Sequence, residues 1–120
     1  MIRNFLIVAL GGALGSTLRW ACTLGVAHWQ WRPLIATLIV NIAGSFLIGV
    51  FYGASTKMRT NLFLSTGLCG GFTTFSTFSL QNVQLLQQGQ YGMALVNMGI
   101  TLALCLLACI GGIMIGKLFA

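Results

Sequence analysis

The sequence contains no aspartate and no glutamate, and a single histidine, His28, which falls where a loop is expected. Proton-coupled pumps and transporters relay through acids or histidines embedded in the membrane, and this chain has no acid to offer. Carboxylate metal sites and carboxylate acid–base hydrolysis are excluded on the same ground. No nucleophile–base pair or metal-ligand cluster stands in their place, so the chain reads as a non-enzyme. Charge of any sign is scarce: six Lys and Arg make up the whole 5%, against about 25% in a typical soluble domain. There is one proline, Pro33, at a position suited to starting a helix. The four cysteines all lie in apolar segments. Cys105 and Cys109 share a helical face, but no histidine or carboxylate completes a metal site. They read as small buried hydrophobes.

What is present is apolar. Hydrophobic residues make up 58% of the 120, and mean hydropathy is +0.96. A membrane span takes about 20 residues, so the length fits one transmembrane domain, 1–120, with four spans. These are expected at about residues 4–27, 34–55, 61–88 and 91–117. The opening Met1-Ile2-Arg3 and the apolar run behind it look like a signal peptide, but the run continues to Arg19-Trp20 without a clean cleavage site. It is taken as the first span. A net charge of +6 would suggest nucleic acid in a soluble protein. Here the basic residues are scattered singly, and lipid headgroups and topology explain them better. Arg3, Lys57, Arg59 and Lys117 fall on one side of a four-span chain and Arg32 on the other, with Arg19 near it; this predicts cytoplasmic termini.

Polar residues inside the spans are few. Arg19 either faces the protein interior or snorkels to headgroups from a helix end. Asn41, near the middle of span two, either ties helices together or donates its amide N–H into a pore. Small residues recur at intervals of four: Gly11/Gly15, Ser45/Gly49/Gly53, Gly67/Gly71 and Gly112/Gly116. Such faces let helices pack closely, and a bundle this small is expected to dimerise. The densest feature is Gly67-Leu68-Cys69-Gly70-Gly71-Phe72-Thr73-Thr74-Phe75-Ser76-Thr77-Phe78-Ser79. Either its hydroxyls bond back to their own helix, or the helix breaks at the glycines and its freed carbonyls and half-helix ends form an ion site. The polar run from Gln81 to Gln90 marks where this span leaves the bilayer.

The order and spacing of Gly11 to Trp20, Thr37 to Asn41 and Gly67 to Ser79 resemble the Fluc (CrcB) family of small fluoride channels over essentially the whole chain. The resemblance implies an all-α membrane protein of four helices per subunit, the third broken in mid-membrane. It implies an antiparallel, dual-topology homodimer in the bacterial inner membrane, exporting fluoride passively through two pores. A structural Na⁺ at the dimer interface would be held by backbone carbonyls that map to Gly70 and Thr73. The fluoride pathways map to Phe75 and Phe78 with Asn41. Ser76, Thr77 and Ser79 continue the polar track, Thr37 is a weaker candidate, and Arg19 lies near a positive vestibule.

The chemistry of these residues agrees. Asn41 and the hydroxyls donate hydrogen bonds without a fixed charge that would trap a strongly hydrated anion. Phenyl edges carry positive potential. Hard cations take oxygen ligands, and carbonyls are what a chain without acids can supply. Two departures stand out. Gln81 occupies a position where members generally carry Glu; its amide still donates and accepts, so conduction is expected to survive. The basic bias also favours one orientation, whereas dual topology needs both. The competing classes are a small multidrug exporter, which needs an embedded carboxylate that is missing, and a structural subunit that conducts nothing.

Overall fold

The computed structural model describes residues 1–120 and is helical throughout, with no strand. Helix α1 covers Ile2–His28 and α2 covers Pro33–Gly53, with Pro33 in its first turn. The third pass is built from pieces. A short α3, Met58–Asn61, leads into a π-helical segment, Leu62–Cys69, and then α4, Gly70–Phe72. Thr73 and Thr74 are extended, and α5, Phe75–Gln87, resumes the helix. A turn through Gly89, at φ +75°, returns the chain into α6, Tyr91–Lys117. The left-handed backbone there suits glycine.

Helices α1, α2 and α6 are each long and apolar enough to cross a membrane. Most of their large side chains face outward, among them Leu95, Leu102, Leu106 and Leu107 on α6. An apolar exterior on long helices is the signature of a multi-pass membrane protein, whose solvent is lipid. Trp20, Trp29 and Trp31 are exposed near one end of the bundle, where aromatic side chains favour the bilayer interface.

The small-residue faces pair up inside the single chain. A Cβ added at Gly49 or Gly53 would run into the carbonyls of Cys109 and Ile113 on α6. Reciprocally, one at Gly112 or Gly116 would strike the carbonyls of Phe46 and Val50 on α2. Gly11 and Gly15 meet the backbone of Phe63, Leu68 and Phe72, while Gly67 and Gly71 meet Gly11 and Gly12. The glycines of all four ladders are thus consumed in two intrachain seams, α2 on α6 and α1 on the third pass. Both seams run parallel, because rising numbers on one helix meet rising numbers on the other. This brings Arg3, Lys57, Arg59 and Lys117 to one end of the bundle and Arg32 to the other.

The seams leave no room for a side chain, and overpacking costs about 1–3 kcal/mol per site. Gly112→Val is expected to lower the thermal midpoint of the detergent-solubilised protein by several degrees or abolish its folded peak on size exclusion. Gly99→Ala is the control: nothing lies within 4 Å of its added Cβ, and it should leave the midpoint unchanged or slightly raised.

Candidate functional site

The interruption at Thr73–Thr74 lies three residues beyond the glycines where a break was expected. Gly70 itself is helical, at φ −61° and ψ −39°. The two glycines serve different ends. Gly71 packs on α1, where an added Cβ would lie 2.6 Å from the Gly12 carbonyl; at Gly70 the nearest atom would be 3.8 Å away.

Each side of the interruption is stabilised by a side chain from elsewhere. Asn41 on α2 accepts the Thr74 N–H at Oδ1 (2.8 Å) and donates from Nδ2 to the Thr74 carbonyl (3.1 Å). One side-chain amide therefore satisfies both backbone groups of Thr74, which is 7% exposed. Thr74 in turn caps α5, its Oγ1 accepting the Thr77 N–H at 3.1 Å, as a threonine at this position should. Arg19 donates from Nε to the Gly71 carbonyl at 3.1 Å. Its guanidinium thus faces the protein and serves a carbonyl at the end of α4.

These contacts redirect two helical hydrogen bonds. In an unbroken helix the Thr74 N–H would go to the Gly70 carbonyl, and the Thr77 N–H to the Thr73 carbonyl. The first goes to Asn41 and the second to Thr74 Oγ1. The carbonyls of Gly70 and Thr73 are each deprived of their helical donor, and carbonyl oxygens in that condition suit a hard cation.

Phe75 and Phe78 follow at the start of α5, their ring centroids 5.7 Å apart and their planes inclined at 43°. Phe78 is 8% exposed and Phe75 is 75% exposed. Both line a cavity of about 210 Å³ together with Asn41, Ser45, Thr101 and Cys105. A smaller cavity of about 50 Å³ on the other side of Thr74 gathers Arg19, Thr23, Thr37 and Thr77. The sequence reading included Arg19, Thr37 and Thr77 but passed over Thr23, Thr101 and the position of Cys105. The four-residue spacing of Asn97, Thr101 and Cys105 on α6 is the sign that would have revealed a polar stripe.

The remaining hydroxyls are partly engaged. Ser76 Oγ lies 3.2 Å from Thr74 Oγ1. Ser79 donates to the Phe75 carbonyl at 3.0 Å, which leaves lone pairs but no proton for an anion. Gln81 donates weakly to the Pro33 carbonyl at 3.5 Å, and its Oε1 is buried without a partner. It borders a polar cavity of about 160 Å³ with Arg32, Gln84 and Gln88. With no carboxylate in the chain, no fixed negative charge lies along any of these surfaces.

Comparison with known proteins identifies the family. A family model described as CrcB-like protein, Camphor Resistance (CrcB), matches residues 6–113. The chain is 42% identical to the fluoride-specific ion channel FluC of Flavobacterium psychrophilum, covering 97% of this chain and 98% of that one. It is 42% identical to the protein of the same name from Parabacteroides distasonis, over 98% and 94% of the two chains. To that of Gloeobacter violaceus it is 43% identical over 79% and 81%. With most of its length matched by the family model and by relatives of nearly equal size, the chain belongs to the CrcB family.

Proposed function

We propose that this protein is a passive, fluoride-selective channel that releases fluoride from the bacterial cytoplasm across the inner membrane. The observation that carries the proposal is the interruption at Thr73–Thr74. It is braced by Asn41 and followed at once by two phenylalanines that border a cavity containing only neutral donors. A strongly hydrated anion entering it exchanges water for amide and hydroxyl donors and for the positive edges of Phe75 and Phe78. No carboxylate is present to repel it, and Arg19 and Arg32 supply positive potential on the side of the bundle away from the termini.

The assembly is an antiparallel homodimer with two pores, and the interrupted pass is the broken third span of each subunit. Phe75, largely uncovered in one chain, is the ring that a second copy would cover. The carbonyls of Gly70 and Thr73 fit a structural Na⁺: both are oxygen donors without their helical partners, and a two-fold axis would double them to four ligands. The ion would supply positive charge to join the two interruptions. Asn41 and Thr74 hold those carbonyls in place by taking the N–H groups that would otherwise close them.

Purified protein in liposomes loaded with potassium fluoride or potassium chloride, triggered by a K⁺ ionophore, tests the function. Rapid fluoride release with negligible chloride release is expected. No release of either ion from protein shown to be a folded dimer would overturn the channel and leave a structural subunit.

A further inference from the structure

The seams that fix this bundle leave one helix out. Helix α5 contains no glycine, so it cannot approach a neighbour as closely as the glycine-lined helices do. Its upper end is fixed to α2 by the Asn41–Thr74 pair. Against α6 it has one side-chain hydrogen bond, from Asn97 Nδ2 to Asn82 Oδ1 at 3.0 Å. Asn82 is 4% exposed and passes the connection on, its Nδ2 donating to the Phe78 carbonyl at 2.8 Å.

The two helices are antiparallel neighbours joined by the Gly89 turn. One turn, about 5.4 Å, back along α5 from Asn82 is Phe78, and one turn forward along α6 from Asn97 is Thr101. Both steps go in the same direction, away from the Gly89 turn. They bring Phe78 from α5 and Thr101 from α6 into the lining of the cavity of about 210 Å³, with Cys105 a further turn along. Between the turn and the amide pair, Ala94 and Leu85 are buried at 0% and 4%. The contact is apolar below Asn82 and opens into a cavity above it. The amide pair is the last fixed point before the slot.

We propose that the Asn82–Asn97 hydrogen bond sets the spacing between Phe78 and Thr101, making both asparagines positioning residues for discrimination among halides. The inference rests on the channel function proposed above. An anion slightly larger than fluoride is excluded only while the two walls cannot separate, and α5 has no glycine contact to hold it once the amide pair is lost. Neither asparagine needs to touch the ion.

The test compares Asn82→Leu, Asn97→Leu and the double variant in liposomes loaded with fluoride or chloride. Loss of one interhelical hydrogen bond in a membrane protein should raise the chloride-to-fluoride ratio by roughly three- to twentyfold. If the residues act through each other, the double variant goes no further than either single one. Asn97→Gln, which keeps the amide, should stay nearer the parent. A second readout requires no conduction: the rate at which a small thiol reagent modifies Cys105 in a background with Cys22, Cys69 and Cys109 replaced by alanine. Both leucine variants should accelerate it. An unchanged halide ratio with unchanged labelling overturns the proposal. Should the parent itself release no fluoride, the channel function fails, and the Cys105 rate still decides the spacing. If Asn82→Leu does not fold, Asn97→Leu, at a half-buried position, carries both measurements.

Discussion

Phe75→Ile is expected to reduce fluoride efflux by about thirtyfold while leaving the folded protein and its thermal midpoint intact. The size follows from two quantities. A desolvated cation over a ring face gains about 2 kcal/mol from the ring quadrupole, and the same quadrupole presents a positive edge to an anion. With a contact of that size, about 1.4 kcal/mol is tenfold in rate. Phe75 is the more informative of the two rings because it is 75% exposed in the single chain. Truncating it removes little intrachain packing, so a preserved thermal midpoint and size-exclusion peak would assign lost flux to the ring and not to a damaged fold. Phe78 is buried at 8%, and Phe78→Ile should combine a comparable loss of flux with a measurable loss of stability. The isoleucine keeps apolar bulk but has no polarised edge, so the comparison isolates the ring electrostatics. Undiminished efflux through Phe75→Ile, measured alongside Phe78→Ile with the same result, would remove the rings from the pathway.

Much of this was legible in the sequence because membrane chains obey strong rules. Apolar length and the absence of acids dictate long lipid-facing helices, and turn chemistry at Pro33 and Gly89 falls where the helices begin and end. The glycine ladders were equally visible, but not their partners. Spacing says that a face is flat, and only tertiary packing says which helix lies on it; here α2 takes α6 and α1 takes the third pass. Glycine weakens helices, so the sequence points to a break at Gly70–Gly71. Glycine permits a break without requiring one, however. The decisive event is Asn41, thirty-three residues away, taking the Thr74 N–H, which no local pattern encodes. Arg19 illustrates the same limit: position left interior and interfacial placement open, and the Gly71 carbonyl decides it. The spacing of Asn97, Thr101 and Cys105 marks a polar stripe along α6, but only α5 laid beside it turns that stripe into a cavity wall.

Asn41 carries the second large prediction, because it holds the interruption together and borders the cavity at once. Asn41→Leu leaves the Thr74 N–H and carbonyl without partners where little water reaches, at about 1–3 kcal/mol for each group. Against a net stability of about 5–15 kcal/mol, that is expected to lower the thermal midpoint sharply and to empty the folded fraction at elevated temperature. Asn41→Asp separates the two roles. An ionised carboxylate still accepts the Thr74 N–H, so much of the brace survives, but it has no proton for the Thr74 carbonyl and adds a full negative charge. An anion passing about 4 Å from it at an effective dielectric of about 20 meets roughly 4 kcal/mol of repulsion, close to a thousandfold in rate. Asn41→Asp should therefore yield folded protein at neutral pH with efflux reduced by two to three orders of magnitude on that arithmetic. Full conduction by a folded Asn41→Asp protein would confine Asn41 to the brace and move the anion's route away from α2. An Asn41→Leu midpoint equal to the parent's would show instead that Thr74 finds other partners, and that the interruption is held by Thr74 capping and Arg19 alone.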